Sequence, residues 1–258
     1  MLSLDQIKQF YPDSENISER NMLREYLQYK ILAAIFESKY AERLSFIGGT
    51  AIRIIYGSDR FSEDLDLNHS ELPREEYNHL TKGVRRMLEK EGLQVETRNV
   101  FKDTFRCYLR ISHLLFEYGL SAHRDEKVLI QLDARAENFD LKPHLKIINK
   151  FGVFAQVRVN PPDVLLSQKI KAVLERKRVL GRDLYDIVYL ASLTAPNAKY
   201  LEEKLGFAVP EKLKDALKKR VSPYNLDRLA KDISPFVSDE NKLEVVRKFG
   251  QWLEGWTL

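Results

Sequence analysis

One stretch of the chain contains residues whose types and spacing suit phosphate and metal chemistry. In FIGGTAIRIIYGSDRFSEDLDL, residues 46–67, Gly48 and Gly49 come first, and Asp64 and Asp66 come near the end. A glycine turn that opens into a helix can present backbone N–H groups to an anion. Two carboxylates on one face of a strand repel each other unless a cation lies between them, and Mg²⁺ prefers oxygen ligands. The spacing therefore predicts a site for phosphate and magnesium.

A third carboxylate is expected on a neighbouring strand, because a two-metal phosphoryl-transfer site needs ligands from more than one element. Asp133 lies in VLIQLDAR, where apolar and polar residues alternate. Alternation puts Asp133 on the polar face of that strand. We expect it beside Asp64 and Asp66 as a metal ligand, although the residues alone leave open whether it is the true third carboxylate.

The elements that must position these residues follow from the hydrophobic pattern. Residues 17–38 have apolar side chains at helical spacing, with Asn16 or Ser18 as the expected cap. LSFIGG is predicted to be a strand, TAIRIIYG a helix that ends at Gly57, and SEDLDLNH a second strand. A helix is predicted over residues 74–91, followed by strands in TFRCYLRISHLLF, KVLIQLDAR and VFAQVRVNPP.

The pattern changes near Pro162, after which helical segments follow one another, separated by proline and glycine. We therefore predict an α+β protein. Residues 1–160 would form a mixed sheet flanked by helices, including N-terminal helices, and residues 161–258 a helical C-terminal domain that completes the active-site cleft.

Composition excludes several other classes of protein. The chain has 258 residues, 44% of them hydrophobic and 31% charged, and it has no apolar run long enough for a membrane span. The beginning of the chain does not resemble a secretory signal, so we expect a cytoplasmic protein. Cys107 is the single cysteine, which excludes an intrachain disulfide, and the five histidines lack metal-ligand spacing. A net charge of +4 is compatible with nucleotide or RNA partners.

The segment GGTAIRIIYGSDRFSEDLDL resembles the first motif of the AbiEii/AbiGii toxin family, within the DNA polymerase β-like nucleotidyltransferase superfamily. That family typically reads Gly-Gly-Thr/Ser-x-Leu and then Arg-x-Ser-x-Asp-x-Asp; here Ile52 replaces the leucine. The matching residues are Gly48, Gly49, Thr50, Arg60, Ser62, Asp64 and Asp66. A second family motif, Lys-x-x-Ala-x-x-x-Arg followed by Arg-Asp-x-x-Asp, is matched by KIKAVLER and RDLYD. Its matching residues are Lys169, Ala172, Arg176, Arg182, Asp183 and Asp186.

The resemblance implies a role for each matched position. The residues implied to contact the nucleotide are Gly48, Gly49, Thr50, Arg60, Ser62, Lys169, Arg182 and Asp186. The residues implied to be catalytic are Asp64 and Asp66, which would hold Mg²⁺, together with Lys169 and Asp183, and we add Asp133 from strand alternation. Arg182 and Asp186 would orient Asp183.

Two alternatives stay open for the second motif. Asp183 and Asp186 are three residues apart and share one helical face, so Arg176 or Arg182 could pair with them in a purely structural ion cluster. Lys171 lies two residues after Lys169 and could replace it at the nucleotide.

The resemblance implies a magnesium-dependent nucleotidyltransferase that moves a nucleoside monophosphate from an NTP to an acceptor hydroxyl. RNA, in particular tRNA, is the expected acceptor, and the basic segments 176–182 and 212–220 could help to hold it. The family implies the toxin of a type IV-like AbiE toxin–antitoxin system, with a cognate antitoxin protein as partner. The alternatives are an NTP-binding partner protein without turnover, or a transferase that acts on a protein or a small molecule.

Overall fold

The computed structural model describes residues 1–11 and 17–257. Within those residues the fold is α+β, with one seven-stranded mixed sheet and flanking helices, which confirms the predicted fold class. The helices are α1 Leu4–Lys8, α2 Glu19–Phe36, α3 Gly48–Tyr56, α4 Arg74–Lys90, α5 Leu114–Glu117, α6 Pro162–Glu175, α7 Gly181–Ala191, α8 Ala198–Leu205, α9 Pro210–Val221, α10 Leu226–Lys231, α11 Glu244–Arg247 and α12 Phe249–Gly255. The strands are β1 Leu44–Ile47, β2 Leu65–His69, β3 Gln94–Phe101, β4 Thr104–Ser112, β5 Val128–Ala136, β6 His144–Lys150 and β7 Val153–Val159. None of the described helices combines the length and the apolar character that crossing a membrane requires.

The chain divides into two compact units. The sheet unit comprises Met1–Gly57 and Phe61–Asn160, and the helical unit comprises Ser58–Arg60 and the chain from Pro161 onward. The hydrophobic pattern predicts a division between residues 160 and 161. It does not predict that Ser58–Arg60 belong to the helical unit. That short segment joins α3 to β2 in sequence, yet it packs with the helices.

The sheet unit is built on strands in the order β3-β4-β5-β2-β1-β7-β6. Strand β2 runs antiparallel to β1 and parallel to β5, and β1 runs parallel to β7. The two outer pairs, β3 with β4 and β6 with β7, are antiparallel hairpins. Strand β2 therefore lies inside the sheet, where both of its neighbours fix the direction of its side chains.

Local sequence explains the elements around β2. Helix α3 ends because Gly57 adopts the left-handed conformation, with φ of 81°, that favours glycine. Helix α2 begins at Glu19, and Ser18 occupies the cap position without a side-chain cap hydrogen bond. The other predicted cap, Asn16, lies outside the described residues. The predicted apolar stripe of α2 is buried: Leu23, Leu27, Ile31 and Ile35.

Two strands were not predicted, and both have weak hydrophobic patterns. Strand β3, QVETRNVF, alternates exposed and half-buried residues, with Val95 as its buried residue. Strand β6 is an edge strand in which most side chains are exposed. The run TFRCYLRISHLLF was predicted to be one strand, but it turns at His113, where φ is 64°, and continues as the short helix α5.

The helical unit contains α6 to α12, and α6 packs against α7, α8 and α9. Helix α7 also contacts α10 and α11. A side chain at Gly181 would overlap the backbone carbonyl of Leu229, so glycine allows α7 to begin directly against α10. This packing brings the basic segment before α7 and the residues around α10 to the same part of the unit.

Candidate active site

In the sheet unit, the glycine turn lies against one of the predicted carboxylates. Gly48 has φ of 79° and begins α3 directly after β1. A Cβ atom at Gly48 would overlap the Asp66 carboxylate, so only glycine permits this approach. Ile47, at the N-cap position, supplies no side-chain cap, and the first-turn N–H groups of a helix have no intrahelical acceptors. The start of α3 thus combines an anion-binding helix end with an adjacent carboxylate.

The loop that carries Asp64 is held by its backbone. The Thr50 hydroxyl donates a hydrogen bond to the carbonyl oxygen of Asp64, which directly precedes β2. The Gln28 side-chain amide donates to the carbonyls of Ser62 and Glu63, at 2.9 and 3.0 Å. Helices α2 and α3 therefore fix residues 62–64 through their backbone carbonyl groups.

Strand register places Asp66 and Asp133 side by side. Asp66 on β2 is the partner of Asp133 on the parallel strand β5, and partners in adjacent strands direct their side chains to the same face. Asp133 is also the partner of Arg106 on β4. The Arg106 guanidinium donates to both carboxylate oxygens of Asp133, with Nε–Oδ1 at 2.9 Å and Nη2–Oδ2 at 2.8 Å. This hydrogen bonding to Asp133 raises the pKa of Arg106 above its ordinary value.

The donor set can be tested for its fit to a metal ion. Within residues 1–11 and 17–257, no group of three or more His, Cys, Asp or Glu side chains is assembled so that it could hold a metal. The Asp64 and Asp66 carboxylates have the oxygen chemistry that Mg²⁺ prefers, and two such ligands with substrate and water are a common Mg²⁺ shell. Asp133 is engaged by Arg106, and its role as third ligand stays a prediction. No local pattern marks Arg106 as a site residue, because its pairing with Asp133 depends on strand register.

A buried ion cluster that the sequence did not predict fixes α3. The Glu25 carboxylate on α2 is 4% exposed and pairs with Arg53 on α3 and with Lys150 on β6. It also accepts a hydrogen bond of 2.9 Å from the Tyr11 hydroxyl. Burial opposes ionisation of Glu25, but Arg53 and Lys150 outweigh burial and lower the pKa of the carboxyl. The cluster ties α3, and with it the glycine turn, to α2 and the sheet.

Arg60 of the first motif and several residues of the second motif form a different ion cluster, inside the helical unit. Arg60 and Asp186 make a bidentate pair, with Nε and Nη2 2.8–3.0 Å from the carboxylate oxygens. Their side chains are 3% and 1% exposed. Lys169 Nζ lies 3.0 Å from Asp183 and 2.8 Å from Asp186, and Arg176 also pairs with Asp183. We call Arg60, Lys169, Asp183 and Asp186 the buried cluster.

Opposite charges keep two members of the buried cluster, Asp186 and Lys169, ionised. For Asp186, burial opposes ionisation, but Arg60 and Lys169 outweigh it and lower the pKa of the carboxyl. For Lys169, burial disfavours the charged ammonium, but Asp186 and Asp183 outweigh it and raise its pKa. Breaking such a pair leaves an uncompensated buried charge, which is costly.

The structure thus separates the predicted site residues into two groups. Gly48, Gly49, Thr50, Ser62, Asp64, Asp66 and Asp133 belong to the sheet unit, and Arg60, Lys169, Arg182, Asp183 and Asp186 belong to the helical unit. Asp183 pairs with Lys169 and with Arg176, which is one of the two arginines left open for it, and the role of Arg182 stays a prediction. Lys171 pairs with Glu175 on the surface of α6.

The comparisons with known proteins agree with this fold. The model of the family described as nucleotidyl transferase AbiEii toxin, type IV TA system, matches residues 30–250. No protein of curated function is similar enough in sequence to be matched with this chain.

Two solved structures illustrate the likeness in fold. MenT4, a nucleotidyltransferase toxin from Mycobacterium tuberculosis H37Rv, is 15% identical, with a TM-score of 0.61 over 98% of this chain and 90% of its own. JHP933 from Helicobacter pylori is 18% identical, with a TM-score of 0.54 over 93% of this chain and 94% of its own. The family match covers most of the chain, including both motif groups. The chain belongs to the AbiEii family of nucleotidyltransferase toxins.

Proposed function

We propose that the protein transfers a nucleoside monophosphate from an NTP to a hydroxyl group of RNA, with tRNA as the acceptor. One observation carries this proposal: the Asp66 carboxylate lies against Gly48 at the start of α3. The start of α3, which can bind an anion, and the Asp66 carboxylate, which can hold a cation, lie at the same end of strands β1 and β2. A nucleoside triphosphate bound through Mg²⁺ has both the charge and the metal that this arrangement suits.

In the reaction, the acceptor hydroxyl oxygen forms a bond to the α-phosphorus, and the bond from that phosphorus to the bridging oxygen breaks. Pyrophosphate leaves, and the hydroxyl proton passes to solvent. Asp64 and Asp66 would hold Mg²⁺, which when bound lowers the pKa of the acceptor hydroxyl and offsets the charge of the leaving group. The backbone of Gly48 and Gly49 binds phosphate oxygens.

Thr50 and Ser62 have supporting roles in this proposal. The Thr50 hydroxyl holds the Asp64 backbone, which fixes the start of β2 relative to α3. Ser62 lies in the loop that Gln28 holds, and its hydroxyl would contact the triphosphate. Asp133, paired with Arg106, would be the third carboxylate beside Asp66.

We also propose functional roles for the helical-unit residues that match the family motif. Lys169 would contact nucleotide phosphates and Asp183 would be the functional carboxylate, with Asp186 holding Lys169 in place and Arg60 holding Asp186. The two carboxylates, Asp183 and Asp186, keep Lys169 charged and fixed. Lys169→Arg, which keeps the charge but changes its position, is then expected to raise the KM for NTP more than it lowers kcat.

The family description also suggests biological partners. We propose that a cognate antitoxin protein counteracts this toxin. Because the reaction consumes nucleoside triphosphates, we place the protein in the cytoplasm.

A labelling experiment tests the function. The purified protein is incubated with Mg²⁺, total tRNA and each α-labelled NTP in turn, beside the Asp64→Asn/Asp66→Asn variant. Asp103→Asn, which removes an exposed carboxylate between β3 and β4, is the matched control. We expect label on RNA with the wild type and with the control, and none with the double variant.

Other outcomes would change the conclusion in different ways. Label on the protein itself or on a small molecule would keep the transfer chemistry and overturn the RNA acceptor. Binding of NTP without any labelled product would favour an NTP-binding partner protein instead of an enzyme.

A further inference from the structure

A cavity in the helical unit contains a second group of basic residues. It encloses about 820 Å³ and is formed by the segment before α7, the start of α7, and the residues around α10. We call it the arginine cavity and define it by Arg178, Arg182, Arg228, Tyr224 and Phe236. All five residues belong to the helical unit, and its volume is typical of sites for small organic ligands.

The arginines that define the cavity differ from the neighbouring arginines, Arg176 and Arg220, in how they are paired. Arg176 is paired with Asp183, and Arg220 donates to the carbonyl oxygens of Val173 and Arg176. Within the described part of the chain, no ion pair or side-chain hydrogen bond is recorded for the guanidinium groups that define the cavity. Three guanidinium groups therefore face one carboxylate among the lining residues, that of Asp232.

The start of α7 adds to this positive character. The helix has 11 residues and begins at Gly181 in the cavity wall, and Leu180 at the N-cap supplies no side-chain acceptor. The N–H groups of a first helical turn have no intrahelical acceptors and favour anions. The first acidic residue of α7, Asp183, is already engaged by Lys169 and Arg176.

The rest of the lining is apolar and aromatic. Tyr224 and Phe236 are half-buried, and Leu229 and Ile233 are buried beside them. Guanidinium groups bind phosphate oxygens bidentately, and aromatic rings stack on nucleic-acid bases. A ligand that satisfies both parts of the lining has an anionic phosphate end and a flat aromatic end.

We infer that the arginine cavity binds a nucleotide, with its phosphates on Arg178, Arg182 and Arg228 and its base against Tyr224 and Phe236. The nucleotide can come from two sources: a free NTP, or a nucleotide at the end of an RNA strand. The RNA source rests on the proposed function, whereas the chemistry of the cavity does not.

Binding measurements test this inference with the full chain. Asp64→Asn/Asp66→Asn protein is used as the background so that no transfer takes place. Arg178→Gln/Arg228→Gln is added to it, because both side chains are exposed and their loss should not disturb folding. Arg86→Gln, which removes an exposed arginine from α4 in the sheet unit, is the matched control. The probes are a fluorescein-labelled single-stranded oligoribonucleotide of mixed sequence and each α-labelled NTP.

With RNA as the source, the arginine variant should bind the oligoribonucleotide at least tenfold more weakly. The slope of log affinity against log salt should fall by about 1.4, as expected for two lost phosphate contacts on a single strand. If the nucleotide is a free NTP, equilibrium dialysis should show that the arginine variant binds one molar equivalent of NTP fewer than the background protein. Tyr224→Leu should weaken binding of the same probe more than fivefold, since it removes the aromatic ring on which the base would stack. If both probes bind the arginine variant as they bind the Arg86→Gln control, the inference is overturned.

Transfer activity, assayed in parallel on proteins with Asp64 and Asp66 intact, keeps the two proposals separate. Binding in the cavity without any nucleotide transfer would overturn the proposed function alone. Transfer that occurs, combined with unchanged binding in the arginine variant, would overturn the inference alone.

Discussion

The two groups of motif residues use charge in opposite ways. In the sheet unit, Asp66 and Asp133 are register partners, so two carboxylates lie next to each other beside a helix start, and Arg106 pairs with one of them, Asp133. In the helical unit, Asp186 lies between Arg60 and Lys169, so opposite charges meet inside the protein. Adjacent carboxylates are poorly suited to stabilise a fold, but they are suited to bind a cation. The residues predicted for one site therefore include neighbouring carboxylates in one region and balanced ion pairs in the other.

The largest effect is expected when the like-charged group is neutralised. Asp64→Asn/Asp66→Asn should lower nucleotide transfer by on the order of 10³-fold, because the variant loses the ligands that would hold the metal. Its thermal stability should change little, because asparagine keeps the size and shape of each side chain. Transfer is measured with α-labelled NTP, and melting by circular dichroism. A large loss of stability would show that these carboxylates stabilise the fold. The sheet unit and the helical unit would then not differ in how they use charge.

The second effect concerns the buried cluster. Asp186→Asn should lower the free energy of unfolding by about 3–5 kcal/mol, because Arg60 and Lys169 lose their shared partner. Trp252 and Trp256, the two tryptophans of the chain, both lie in the helical unit, so tryptophan fluorescence during urea unfolding monitors that unit.

Asp227→Asn is the control for this substitution. It removes the same charge from an exposed pair with Arg247, where the Asp227 side chain is 74% exposed, and its unfolding midpoint should match the wild type. If Asp186→Asn unfolded like the wild type, the buried cluster would not stabilise the helical unit, and any loss of transfer would come from the changed position of Lys169.

A third prediction compares two glycine substitutions, Gly48→Ala and Gly92→Ala. Both strain the backbone, but only the first would also displace a site residue. Gly48→Ala and Gly92→Ala both place alanine at positive φ, 79° and 89°, at a cost of about 1–2 kcal/mol. At Gly92 the added methyl group meets nothing, whereas at Gly48 it meets the Asp66 carboxylate. Gly48→Ala should therefore lower transfer by on the order of 10²-fold, and Gly92→Ala should not change it. Equal activities, measured at matched folded concentration, would contradict the placement of Asp66 in the site.

The smallest effect is a dependence of stability on pH. The pKa of Asp186 is lowered, so its stabilising effect is complete above the ordinary aspartate pKa, about 4, and is lost as the pH falls below that value. The pKa of Lys169 is raised, so its effect is complete below the ordinary lysine pKa, about 10.4, and is lost at higher pH. The urea midpoint should be nearly constant from about pH 5 to 9 and fall below about pH 4. Asp186→Asn should show a smaller fall in acid; an identical fall would assign the acid sensitivity to other groups.

Local features of the site could be predicted from the sequence. The turn at Gly48, the helix that ends at Gly57 and the strand that carries Asp66 follow from neighbouring residues, as does the alternation that puts Asp133 on the polar face of β5. These features depend on backbone preference and hydrophobic period, which act over a few residues.

Partnerships between distant residues could not be predicted. Arg60 and Asp186 are 126 positions apart, and nothing near Arg60 marks it as a buried residue of the helical unit. Arg106 holds Asp133 only because β4 and β5 pair in one register. Strands β3 and β6 escaped prediction because the burial that stabilises them comes from their neighbours in the sheet, which their own patterns do not reveal.

Ser58–Arg60 belong to the helical unit, so they cannot fold with their partners until the ribosome has made that unit. Arg60 leaves the ribosome 126 residues before Asp186, its buried partner. At 5–20 residues per second, that separation corresponds to a delay of roughly 6 to 25 s. During that interval the guanidinium stays in water, and the segment Ser58–Arg60 cannot reach its final position. This segment therefore becomes fixed late, after α7 has been made, and a gene shortened at residue 160 would release a chain in which Arg60 never finds its carboxylate.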